Sequence, residues 1–175
     1  MSPDSKAKEP NPREMMERAV KVMKESIAEP RGDEKASPVA GAVVWMPDGT
    51  VQEAARGELR QGDHAEYTLL ERKGRGIRFD GAVLFSTLEP CAPGARKAPK
   101  LSCAERIANA RIEKVWVGIE DPDPTVDRKG IKFLQGGGCR GRVTAHQTLF
   151  FGGGGCRGFP CRFFQQGPGR VPVQE

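Results

Sequence analysis

Three short stretches carry the residues with the most chemical reach: His64-Ala65-Glu66, Pro90-Cys91 and Cys103. One imidazole and two thiols form a donor set for a borderline-soft divalent ion, zinc above all. Three protein ligands leave a fourth position open, and a water held there has its pKa lowered from 15.7 to roughly 7. A carboxylate two residues beyond the histidine, Glu66, can take that proton and pass it on. A purely structural zinc site would want a fourth protein ligand and no proton shuttle, so Glu66 argues against the alternative of a zinc-stabilised binding module without catalysis.

These residues need elements that bring them together. Arg13–Ile27 carries Met16, Val20, Met23 and Ile27 at helical spacing, with Pro12 suited to a helix start and Pro30 beyond the end. Val39–Met46 and Thr50–Ala54 flank the turn sequence Pro47-Asp48-Gly49 and read as an antiparallel hairpin. Asp63 is placed to cap a helix from His64 to about Lys73, whose Leu69 and Leu70 face inward. The apolar runs Gly81–Thr87 and Val115–Ile119 read as buried strands, separated by a helix over Cys103–Ala110 that follows Ser102. A thiol opening a helix gains from its free N–H groups and dipole, which favour the thiolate. Strands alternating with helices predict an α/β layered domain. Trp45 and Trp116 fall inside strand runs and read as core, and Tyr67 reads as helix packing, with stacking on a base as the alternative.

Composition sets the class. The chain of 175 residues is 37% hydrophobic and 29% charged, which suits one globular domain with a modest core. Its longest strongly apolar stretch, Gly41–Met46, is far below the roughly 20 residues that span a bilayer, and the first thirty residues are charged. No membrane span and no signal peptide are expected, and a reducing cytoplasmic setting favours metal ligation or catalysis over a disulfide for Cys91 and Cys103. Net charge is +5, but residues 1–135 hold 23 of the 28 Lys+Arg and 22 of the 23 Asp+Glu, so the body is near neutral. Bulk charge therefore gives no argument for nucleic acid.

The expected organisation is a flexible lead-in over 1–12, a zinc-site domain over 13–135 and a Gly/Arg-rich tail over 136–175. A helix opens at Gly130 and is expected to stop at Gln135, because Gly136-Gly137-Gly138 opposes both helix and strand. The tail then reads as irregular, as an interaction segment or as a frame-shifted end, and supplies no final strand. That would leave the 115–119 strand with an open side for a second chain, hence a homodimer. Cys139, Cys156, Cys161 and His146 are too irregularly spaced for a second metal site.

Zinc deaminases carry H-x-E followed by P-C-x-x-C, and the three stretches here occur in that order. Thr87-Leu88-Glu89-Pro90-Cys91, the run Cys103–Gln135 and Ser37–Val44 resemble the pyrimidine deaminase domain of riboflavin biosynthesis, within the cytidine-deaminase superfamily. The resemblance spans about residues 14–135. It implies a three-layer α/β sandwich, a mixed sheet of about five strands with helices on both faces and zinc between two helix starts. It also implies hydrolytic deamination, with His64, Cys91 and Cys103 on Zn2+ and Glu66 moving protons to the ring nitrogen and the departing ammonia. The candidate substrate contacts are Ser37, Ala65, Pro90, Lys97 and Asp123. Ser37 and Asp123 stand where that family has asparagines, and Lys97 stands for its lysine. Eleven residues separate the two cysteines, a longer insertion than the family's, and its Arg96, Lys97 and Lys100 are placed to meet a phosphate. A small amino-substituted pyrimidine is the expected substrate; a cytosine in single-stranded nucleic acid is the alternative, which would want a basic, aromatic groove.

Overall fold

The computed structural model describes residues 9–27, 29, 37–121, 128–138 and 143–145. Helix α1 spans Pro12–Met23, and its start is fixed by Asn11, whose side chain accepts from the backbone of Arg13 and Glu14. Its buried face is Met15, Met16, Ala19 and Val22, one position off the expected stripe, and Ile27 lies exposed beyond its end. The cause is a close approach. A Cβ on Gly41 would sit 2.3 Å from the Ala19 carbonyl oxygen, so the helix packs on its small residue and the large side chains fall to either side.

The hairpin forms as expected, with β1 over Gly41–Trp45 and β2 over Val51–Ala55 in antiparallel register. Strand β1 pairs antiparallel with β3, Val83–Leu88, which pairs parallel with β4, Lys114–Ile119. A fifth strand, β5 over Val143–Ala145, pairs parallel with β4. The mixed sheet therefore runs β2-β1-β3-β4-β5.

This corrects the expectation that residues 136–175 add no strand. The helix α4, Lys129–Phe133, does not stop at Gln135 but continues as wide π-helical turns over Leu134–Gly138. Ile131 and Leu134 are fully buried, and that anchoring outweighs the backbone entropy of three glycines. The chain then returns Val143 opposite Val115, which occupies the side of β4 that a second chain was expected to cover. The rest of the tail, with Cys139, His146, Cys156 and Cys161, lies outside the described residues.

Two apolar clusters sandwich the sheet. The larger joins Leu84, Val115 and Val117 to Leu69 and Ile107, of the helices that begin at His64 and Cys103, and to Ile131 and Leu134 of α4 and its extension. The smaller joins Val43, Val83 and Phe85 to α1, with Trp45 and Trp116 only half-buried against it. Those two indoles are thus at the border of the core rather than inside it.

Candidate active site

Helix α2, Ala65–Tyr67, runs on as π-helical turns over Thr68–Lys73. Its cap is His64 and not Asp63. The Asp63 carboxylate instead accepts from Arg72 Nε at 2.6 Å, which ties the loop before the helix to the helix's far end. Helix α3, Cys103–Asn109, starts at Ser102 with a complete capping box: Ser102 Oγ accepts from the Glu105 backbone N–H, and the Glu105 carboxylate accepts from the Ser102 backbone. Between them Cys91 follows β3 directly. Three chain segments therefore deliver His64, Cys91 and Cys103, whose ligating atoms all lie within 4.8 Å of one another.

The donor set fits a tetrahedral metal ion. Zinc bonds of about 2.3 Å to sulfur and about 2.0 Å to nitrogen put ligand atoms roughly 3.5 Å apart. Cys103 Sγ and His64 Nδ1 are 3.4 Å apart. The Cys103 backbone N–H donates to Cys91 Sγ at 3.1 Å. Hydrogen bonding from Cys103, aided by His64, pulls the Cys91 thiol down to about 4, so it is an anion at neutral pH. Cys103 is held well above its ordinary value by its bond to Cys91 and by burial, and keeps the proton the pair shares. An electron-rich sulfur pair beside an imidazole is what a soft cation displaces protons from.

Glu66 sits in the first turn of α2, nearly fully buried. Burial pushes its carboxyl above the ordinary carboxylate value, against the pull of His64. Ser86 Oγ on β3 lies 3.0 Å from Glu66 Oε1 and 2.7 Å from the Leu88 carbonyl oxygen, so one hydroxyl proton serves two acceptors. A buried carboxyl held by a hydroxyl, beside a three-donor cluster, can accept and return a proton without exchange with bulk water.

Two further residues shape the site without having been singled out. Glu89 is buried, and its carboxylate accepts from the backbone N–H groups of Asp121, Gly130 and Ile131 at 3.2, 2.9 and 3.2 Å. It ties the end of β4 and the start of α4 to the strand end that presents Cys91. Gly130 is required there, since a Cβ would meet the Pro90 carbonyl oxygen at 1.9 Å. Glu89 was visible inside the Thr87–Cys91 motif, although its role was not; Ser86 had no sequence signal.

Ala65 and Pro90 are buried beside the cluster. Ser37 Oγ donates to the Glu29 carbonyl at 3.0 Å. Lys97 is exposed, and Asp123 lies outside the described residues. A cavity of about 150 Å³ is lined by Asp63 and Tyr67, which flank His64 and Glu66 in the chain, and by Arg60, Arg96, Lys100 and Arg106 among others, but not by Lys97 or by the metal-ligand candidates themselves. The Tyr67 ring carries the guanidinium groups of Arg106 and Arg72 at 4.6 and 5.4 Å, so packing rather than base stacking accounts for it.

A mixed five-stranded sheet whose helix starts converge on an imidazole and two thiols defines an α/β domain built around a metal-binding cluster. The chain belongs to the cytidine and deoxycytidylate deaminase family, whose zinc-binding region matches residues 10–119. It is 34% identical over 118 residues to the chloroplastic riboflavin biosynthesis protein PYRD of Zea mays, covering 67% of this chain and 29% of that protein. It is 36% identical over 108 residues to RibD of Bacillus amyloliquefaciens, covering 61% and 27%. The solved diaminohydroxyphosphoribosylaminopyrimidine deaminase/5-amino-6-(5-phosphoribosylamino)uracil reductase of Thermotoga maritima superposes with a TM-score of 0.61 at 26% identity, over 77% of this chain and 36% of that one. The chain thus spans under a third of the length of the curated relatives it matches. Among the described residues no helix is long and apolar enough to cross a membrane.

Proposed function

We propose that this chain is a zinc-dependent hydrolytic deaminase of a small amino-substituted pyrimidine, such as a nucleotide, a nucleoside or an intermediate like those of riboflavin biosynthesis. The observation that carries the reading is a buried carboxyl, Glu66, beside three soft donors presented by two helix starts and a strand end. His64, Cys91 and Cys103 hold the ion. Zinc bound there supplies a Lewis acid and a water acidic enough to ionise at neutral pH.

Everything else falls to the chain's own side chains. Glu66 takes the proton released by the attacking water, gives it to the ring nitrogen, and carries a second one to the departing amine. Water adds, ammonia leaves, and a ring carbonyl remains. Ser86 keeps the Glu66 carboxyl pointed while its protonation changes, because a hydroxyl can donate to a carboxylate and accept from an acid. Ala65 and Pro90 wall the pyrimidine, and Ser37 and Asp123 are the remaining candidate contacts. The insertion with Arg96, Lys97 and Lys100 meets a substrate phosphate, with the half-buried Arg96 and the exposed Lys100 lining the cavity and Lys97 outside its lining. Thiols that must stay reduced suit a cytoplasmic enzyme.

The test is ammonia release from a panel of aminopyrimidine bases, nucleosides and nucleotides by the zinc-loaded protein, with Glu66→Ala alongside. The reading expects release from at least one phosphorylated pyrimidine and a loss of about 10²- to 10⁴-fold in the variant. Equal turnover by the variant would remove Glu66 from the chemistry.

A further inference from the structure

The body's near-zero net charge conceals a segregation. The cavity lined by Asp63 and Tyr67 brings Arg60, Arg96 and Lys100 to one rim, with Arg106 on its inner wall. A second, larger cavity of about 560 Å³ shares Arg106 and continues with Arg75, Arg78 and Arg111. The two cavities meet at Arg106, and their linings follow one another along α2 and α3 as a basic track. It begins beside the residues flanking His64, one turn from Cys103, and ends past the far termini of both helices. Seven cations and three carboxylates, Asp63, Glu71 and Asp80, line it, a net of +4. Residues 1–135 sum to +1, so the rest of the body carries −3.

The carboxylates neutralise only part of the track. Asp63 is held by Arg72, which does not line it, Glu71 by Arg106, and Asp80 is shared between Arg78 and Arg111. Among the described residues Arg60, Arg75, Arg96 and Lys100 pair with no carboxylate. Arg78 and Arg111 keep 87% and 71% of their side chains exposed, available to a large ligand rather than folded into the surface.

We infer that this track binds a phosphodiester chain, the backbone of a single-stranded nucleic acid. One substrate phosphate would fill only the first cavity. The second cavity, on the order of 10 Å further along the helices, has surplus charge that a monophosphate leaves unused. Six of the seven cations are arginines, whose planar fork matches phosphate oxygens. Because the Tyr67 ring already carries two guanidinium groups, stacking contributes little, and recognition is electrostatic and indifferent to base sequence. This goes beyond the deaminase reading. Binding needs neither metal nor Glu66, so either claim can fail while the other stands.

The experiment is fluorescence anisotropy of fluorescein-labelled oligo-dT and oligo-U 20-mers with the full chain, from 50 to 200 mM salt. With four to five phosphates engaged, affinity falls with a log–log slope of about −3, near 60-fold across that range. The variant Arg75→Ala/Arg78→Ala/Arg111→Ala, changed only at exposed positions, should shallow the slope by about two while leaving ammonia release from free pyrimidines unchanged. The two oligomers decide between DNA and RNA as the source of the backbone. No anisotropy change at 50 mM salt overturns the inference. So does a triple variant that binds like the parent, which would assign binding to the five arginines beyond residue 136, and so does displacement by poly-glutamate at equal charge, which would point to an acidic protein.

Discussion

The floor of the site and its rim are built by opposite means. On the floor, Glu66, Ser86, Glu89, Ser102 and Cys103 are buried, and each is engaged by a named hydrogen bond, Ser102 within the helix it caps and the others to a neighbouring element. On the rim, Arg60, Lys97 and Lys100 are exposed and make no ion pair among the described residues. A buried polar group must be satisfied and so fixes geometry, whereas an exposed cation is free to meet whatever arrives. The floor therefore sets the reaction and the rim chooses the substrate. Changes to the floor should cost stability or turnover, and changes to the rim should move KM alone.

The largest stability effect is expected at Glu89. Glu89→Ala leaves three backbone N–H groups without their acceptor where β4 and α4 meet the Cys91 strand, a loss on the order of 3 kcal/mol by urea denaturation. Glu89→Gln keeps one acceptor oxygen and should lose less. A change below about 0.5 kcal/mol in the alanine variant would mean that the floor is not held as described.

A smaller loss, about 1 kcal/mol, is expected for Ser102→Ala, which removes the cap that orients Cys103. The same capping box has a pH signature. Hydrogen bonds from the Ser102 backbone and side chain hold the Glu105 carboxyl below its ordinary value. Its contribution is therefore complete above the unfolded-state pKa and is lost as pH falls through the folded-state one. Glu105→Gln should flatten that part of the acid limb of stability, and an unaltered limb would contradict the box.

How much of this was legible in the sequence divides along the same line. The metal-ligand candidates and Glu66 were readable because their chemistry requires particular residue types in a fixed order, and the hairpin because Pro47-Asp48-Gly49 is turn chemistry. The face of α1 was misjudged because periodicity counts large apolar side chains, while the helix seats on Ala19 against Gly41. Asp63 has the right type for a cap, but Arg72, nine residues on, claims it. The resemblance implied about five strands, but the placing of the last one in the tail was missed because local glycine entropy was weighed without the burial of Ile131 and Leu134, which exists only in three dimensions. Ser86 is one serine in an apolar run until the fold sets Glu66 beside it.

The smallest effects belong to the rim. Arg60→Ala should raise KM for a phosphorylated pyrimidine about fivefold, the scale of an exposed ionic contact, with kcat held within a small factor. Lys97→Ala should do less, since Lys97 does not line the cavity. Steady-state kinetics with phosphorylated and unphosphorylated substrates decide it: equal changes on both would remove the phosphate role from the rim.

The division between ligand and proton carrier is tested most directly by metal analysis of four proteins purified in parallel. The account predicts about one zinc per chain in the parent and in Glu66→Ala, and loss of zinc in Cys91→Ala and Cys103→Ala. Full zinc in either cysteine variant, or an empty Glu66→Ala protein, would contradict it.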